Sequence, residues 1–436
     1  MANKLHLTKI IITNNGTPII GGAILVQDSK IVHVGKKEDF GDLNSLNVEI
    51  IDHGKSLICP GFINLHTHLL YSNFKNINGS DGLFPWLENL VDYTKVFSEK
   101  DYIDSVNSGI KSAISSGTTY IIENTPSYLS AKLLSKSPLK ATIGLELFGS
   151  DEKQANEVFS NAIADLENLK KELFHNSRLD FTFSPHAPYD VSIPLWKKLI
   201  NWSKENNKPL LTHLEESPQE RFWWKDKSGP ATNFWKKINK LEPKLKYWEP
   251  HASGVDFLSK NNLLDCKVIG THLSQATKED LLLLKEHKIK FIHCPRSNFY
   301  LSNGTANLKL WNELGFLWGV GTDSIASNSD LDLLEEIKFA LKQQSLIHNY
   351  SISAKEAFES MTSKAAKIIS KDNEIGYLKS DYNSDFLVFN IKEKSGCTYK
   401  DPYHLLIWEV NTKNDLKEVW INGEKVWIAE HLLHKI

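Results

Sequence analysis

The sequence predicts an α/β chain: a (β/α)8 TIM barrel carrying a small β-sandwich built from both ends of the chain. Three observations predict it. Both ends are rich in short Ile- and Val-containing strands broken by Gly, Asn and Asp. Between them, apolar strands alternate with amphipathic helical stretches, and eight such strands can be counted. Polar and ionisable residues stand at the C-terminal end of nearly every one of the eight, the face on which barrels of this kind build active sites. The expected boundaries are 1–58 for the first part of the sandwich, 59–370 for the barrel and 371–436 for the second part of the sandwich.

The first strands are "LTKIIIT", "GAILVQDSKIVHVG" and "VEIIDHGKSLI". Their counterparts at the other end are "DFLVFNI" and "LKEVWINGEKVW", where Asn422–Gly423 signals a two-residue hairpin turn. The barrel strands are read as "LICPGFINLHTH", "TTYIIENT", "ATIGLELFG", "LDFTFSPHAPY", "PLLTHLEE", "KVIGTHLS", "IKFIHCPRSN" and "LWGVGTDS". Of the helices, "DYIDSVNSGIKSAISSG" places Ile103, Val106, Ile110 and Ala113 on one face and ends at a glycine.

The chain has 436 residues, of which 41% are hydrophobic and 24% charged, and a formal net charge of −2. That balance gives no support to nucleic acid or an anionic membrane as a partner. The basic run "WKKINKLEPKLK" reads as a solvated helix face. No window reaches the length of a membrane-spanning helix, and the start of the chain lacks a signal-peptide core. The four cysteines, Cys59, Cys266, Cys294 and Cys397, form no CxxC pair. A disulfide framework is not expected, and the cytoplasm is the expected compartment.

His66 and His68 are one residue apart, so alternation along a strand points them the same way. At one barrel mouth, His66, His68, His186, His213, Glu216, His272, His293 and Asp323 should converge. Several neutral imidazoles with one carboxylate suit a catalytic first-row metal ion. Glu216, three residues after His213, is expected too far round to share that coordination direction and is placed as a proton carrier; Glu215 is the alternative.

The ordered set "PGFINLHTH", "THLEE", "GTH", "HCPRSN" and "GTDSIASN" resembles the amidohydrolase superfamily, over essentially the whole chain. More narrowly it resembles the mononuclear-metal branch of aminohydrolases and chlorohydrolases. Where binuclear relatives carry a bridging lysine, the fourth strand here has "SPHAPY". The resemblance implies one divalent ion, Zn²⁺ first and Fe²⁺ second, held by His66, His68, His213 and Asp323. It further implies that Asp323 takes a proton from water, that His272 orients that water, and that Glu216 protonates a ring nitrogen while ammonia leaves. A metal-free scaffold relative would have lost these ligands, and this chain keeps them. Members are often dimers, so a homodimer is a further implication.

The substrate is expected to be a small heterocycle or nucleoside. His186 of "SPHAPY" and Trp86 of "FPWLENL" match substrate-facing positions of adenosine-type deaminases in this branch. "LELFGSDEKQA" and "SGPATNFW…YWEPHASGVDFL" most resemble aminodeoxyfutalosine deaminases of a menaquinone pathway, with Glu146 and Arg296 as expected substrate contacts. The alternatives are deaminases of S-adenosylhomocysteine and methylthioadenosine, then triazine-type amino- or chlorohydrolases. The homocysteine-nucleoside deaminases carry a ribose-binding glutamate about nine residues after the loop tryptophan. Here that position is Lys95, with Glu88 as a nearby substitute.

Overall fold

The computed structural model describes residues 3–43, 47–173, 176–239, 249–391 and 401–429. Cys397, and residues 240–246 of the basic run, lie outside the described residues.

The two ends of the chain meet in one eight-stranded mixed sheet. Its N-terminal strands are Lys4–Ile11, Ile19–Gln27, Lys30–Lys36, Glu49–Asp52 and Ser56–Pro60; its C-terminal strands are Phe386–Asn390, Leu416–Ile421 and Glu424–Ile428. The join is antiparallel, with Leu387 opposite Cys59 and Phe386 opposite Pro60. Ile24, Val26, Ile58, Phe386, Val388 and Trp420 fill one apolar cluster between these strands. Asn422 and Gly423 turn the last hairpin with φ of 53° and 75°, as a type I′ turn requires.

The stretch read as one strand, "LICPGFINLHTH", is two. Ser56–Pro60 pairs in the terminal sheet and Phe62–Thr67 opens the barrel. The change of sheet falls at Gly61, not after residue 58. A Cβ at Gly61 would overlap the Thr119 side chain, so only glycine allows the two sheets to come this close there.

The barrel strands are β1 (Phe62–Thr67), β2 (Thr118–Thr125), β3 (Lys140–Leu147), β4 (Leu179–Pro185), β5 (Leu210–Leu214), β6 (Val268–His272), β7 (Lys290–His293) and β8 (Trp318–Val320). They form two four-stranded parallel ladders, β1 to β4 and β5 to β8. Single backbone hydrogen bonds close the two seams. His213 N–H donates to His186 O at 2.9 Å, and Asp323 N–H donates to His66 O at 2.9 Å. Helices pack around the strands. The predicted helix is Glu99–Ser115, with Val106, Ile110 and Ala113 buried and Ser98 capping its N-terminus. Among the described residues, no helix is long and apolar enough to cross a membrane.

Strand alternation carries the core into the site. Ile63, Leu65, Tyr120, Ile122, Leu211, Ile269 and Ile292 share one buried cluster inside the barrel. Two residues further along β2, β5 and β6 stand Asn124, His213 and Thr271. Gly319 in β8 and Gly321 just after it face inward, where a Cβ would strike Leu65 and His66, and Asp323 is the next inward position.

Candidate active site

His66, His68, His213, His272 and Asp323 come together at the C-terminal mouth, all buried. His68 Nε2 lies 3.1 Å from His66 Nε2 and 3.3 Å from His213 Nε2. Asp323 Oδ1 lies 3.5 Å from His68 Nε2 and 3.8 Å from His66 Nε2. Burial, then the neighbouring imidazoles, hold His66 and His213 well below the usual histidine range, so both are neutral at pH 7.

The surroundings fix the ring orientations. His213 Nδ1–H donates to His186 O at 2.9 Å, which leaves its Nε2 lone pair facing the cluster. The Asn124 amide sits 2.9 Å from His66 Nδ1, and Thr271 lies behind the same nitrogen. Asp323 receives Ser297 Oγ at 2.6 Å and Ser327 Oγ at 3.1 Å on Oδ2, and Ser324 N–H at 2.7 Å on Oδ1. Lone pairs packed this closely repel unless a cation takes them up. Three imidazole nitrogens and one carboxylate oxygen fit a borderline divalent ion. Among the described residues, no lysine lines the cavity, so the bridging lysine of binuclear relatives has no counterpart there.

Glu216 stands beside this cluster. Its Oε2 is 3.7 Å from His272 Nε2, and Asn303 Nδ2 donates to its Oε1 at 3.1 Å. Burial, then the charges of Asp323 and Glu220, push the Glu216 carboxyl well above the usual carboxyl range. Its neighbour Glu215 points away. Glu215 is fully buried, pairs with Arg221 at 2.7 Å and accepts Gly254 N–H at 2.7 Å. The alternative proton carrier is therefore tied into the wall. His272 is held down to about 4, chiefly by burial, and its Nδ1 meets Asn298 Oδ1 at 2.9 Å.

The cavity above these groups has a volume of about 610 Å³, the size of a small-ligand site. Glu146 and His186 line it, as do Trp86, Leu87 and Leu90 of the helix Leu83–Thr94, and Phe234 and Trp235 of the helix Pro230–Asn239. Glu146 Oε2 is 3.8 Å from His68 Nδ1. Trp86 Nε1–H donates to Ala326 O at 3.2 Å, which sets its ring against the cavity. Burial opposes charge on His186, but Asp190, 2.5 Å from its Nδ1, outweighs that and raises it to about 9. His186 thus carries a proton at pH 7 and offers a donor to the cavity.

Two expected residues are placed elsewhere. Arg296 does not line the cavity; its Nε pairs with Glu336 at 2.6 Å and its Nη2 with Asp330 at 2.7 Å. Those carboxylates consume the charge expected for a substrate, and Arg296 instead braces the loop after β8. His293 does not join the mouth either. It follows inward Ile292, so alternation turns it outward onto Trp311, 6.0 Å between ring centroids. Lys95 and Glu88 also miss the cavity lining: Lys95 pairs with Asp92, and Glu88 with Lys237. Sequence reasoning passed over Asn124, Ser297 and Asn298, although "IIENT" and "HCPRSN" both stood among the recognised strands, and Asn303, which lies beyond them in "YLSNG".

The Amidohydrolase family model matches residues 57–426. A 5-methylthioadenosine/S-adenosylhomocysteine deaminase of Carboxydothermus hydrogenoformans is 27% identical over 411 residues, covering 92% of this chain and 87% of its own. A 5′-deoxyadenosine deaminase of Methanococcus aeolicus is 28% identical over 420 residues, covering 92% and 89%. The Helicobacter pylori aminofutalosine deaminase, solved with methylthio-coformycin, has the same fold, with a TM-score of 0.82 at 23% identity over 97% of this chain and 100% of its own. The chain belongs to the amidohydrolase family.

Proposed function

We propose that this protein is a metal-dependent hydrolytic deaminase of an adenine-type nucleoside. The observation that carries the reading is a buried Glu216 carboxyl, 3.7 Å from His272, beside the cluster of His66, His68, His213 and Asp323 at the floor of one cavity. The names of the similar deaminases support it.

His66, His68, His213 and Asp323 would hold one divalent ion, zinc first and ferrous iron second. When bound, such an ion supplies a water whose pKa is lowered toward ~7. The chain's own residues do the rest. Asp323, held by three donors, would accept the proton released as water adds to the ring carbon. His272, whose buried Nε2 makes no hydrogen bond, would orient the attacking oxygen. Glu216 would protonate the ring nitrogen beside the carbon under attack and recover a proton from the new hydroxyl as that carbon becomes a carbonyl. Asp323 would pass its proton to the exocyclic amine, so that the C–N bond breaks and ammonia leaves. Glu146 and His186 contact the nucleoside, and Trp86 closes over the base.

The favoured substrate is 6-amino-6-deoxyfutalosine, supported by the resemblance of "LELFGSDEKQA" and "SGPATNFW…YWEPHASGVDFL" to aminodeoxyfutalosine deaminases. Methylthioadenosine and S-adenosylhomocysteine are the second reading, supported by the relatives' names. Ammonia release should be followed with these three, adenosine and guanine, and chloride release with a chlorotriazine. The reading expects an adenine nucleoside to have the highest kcat/KM. Preference for guanine or the triazine would overturn it.

A further inference from the structure

β1 does not keep simple alternation. Its ladder with β2 pairs Asn64 with Ile121 and Thr67 with Glu123, so one extra residue is inserted in β1. Leu65 belongs to the inner barrel cluster, yet its neighbour His66 also faces the mouth, among His68, His213 and His272. This is a β-bulge that re-aims a side chain at a site.

Glu123 sits on β2 beside Asn124 and is fully buried. Its Oε1 and Oε2 each accept Leu69 N–H at 3.0 Å, and Thr67 Oγ lies 2.8 Å from its Oε2. Thr67 and Leu69 flank His68 in the chain. Leu69 is itself buried, so its N–H would lack a partner without this carboxylate. Leu69 N–H needs an acceptor, and Thr67 Oγ lies between Glu123 and Ile122 O, which is 2.9 Å away. An apolar side chain at position 123 would remove both contacts, whereas a glutamine could keep them, with its oxygen toward Leu69 and its N–H₂ toward Thr67 Oγ.

We propose that Glu123 is a positioning residue of the cation centre: by clamping Thr67 and Leu69 it holds the bulge that aims His66 and His68. This rests on the reading of that centre as a cation site. Keeping an acid there has a cost, since burial pushes the Glu123 carboxyl up to about 8. Plain core packing would not require it, because an apolar residue on this strand would fill the space.

The test is zinc affinity. Metal-stripped full-length protein, Glu123→Leu and Thr67→Val would each compete for zinc with a chromogenic chelator, and their melting would be compared without metal. Glu123→Leu removes both contacts and should bind zinc about 10- to 100-fold more weakly, the loss typical when a ligand's support is removed. Thr67→Val keeps the side-chain shape but loses the hydroxyl, and should show a smaller loss in the same direction. It carries the test if the leucine variant does not fold. Unchanged zinc affinity in folded variants would overturn the role of Glu123, even if melting falls. Wild-type protein that binds no zinc would overturn the reading of the centre itself.

Discussion

Glu215 and Glu216 are adjacent, both buried, and point to opposite fates. Glu215 adopts φ of 48°, in the left-handed region, and this twist turns it to Arg221 while Glu216 enters the cavity. His272 and Asp323 share that unusual backbone, with φ of 76° and 61°. Strain of this kind gathers at functional sites when the surroundings hold it in place. Each residue then has a distinct expected signature. Glu216→Gln should keep the metal and lower kcat by about 10²–10⁴, as removal of a general acid does. Asp323→Asn should abolish turnover and weaken the metal, while His272→Asn should cripple turnover with the metal retained. Metal analysis beside the rates checks all three, and equal metal loss in the last two would mean that His272 is a ligand. That these residues would meet at one mouth was legible because each sits at a strand end. The choice between Glu215 and Glu216 was not, since it depends on one backbone angle.

At the scale of elements, the strands were legible because each is a short apolar run, and a barrel strand is buried on both faces. Registers were not. The extra residue in β1 is a property of the pair β1–β2, and the break at Gly61 depends on Thr119 from another strand. His293 was misplaced for the same reason: one residue of phase separates the mouth from the helical layer. The terminal sheet holds a further feature that pattern reading passed over. His6 and His53 are buried and stacked, with His6 Nδ1 3.0 Å from His53 Nε2. Burial, then the charge of His53, holds His6 down to about 3; burial holds His53 down to about 4, against the pull of Glu418. In the unfolded chain both take up protons below about pH 6.5. The folded sheet keeps them neutral, so their contribution is full above that pH and is lost as pH falls toward 4. Urea midpoints of wild type and His6→Gln should therefore diverge less at pH 5 than at pH 7.5. A constant difference would show that His6 titrates alike in both states.

At the scale of the molecule, the two four-stranded ladders meet through the backbones of His66, His186, His213 and Asp323. The groups that close the barrel are those that line its mouth, so closing the fold also assembles the site. The order of motifs along the chain made the barrel and its mouth legible. The cavity wall was less so: Trp86 was read from a motif, whereas Phe234 and Trp235 reach the cavity through the packing of two helices. The most direct measurement of the central claim is a zinc titration of chelator-stripped protein, following ammonia release from the best nucleoside substrate. Activity should rise linearly and break at one equivalent per chain. Full activity in stripped protein, with well under a tenth of an equivalent of any metal present, would contradict the account.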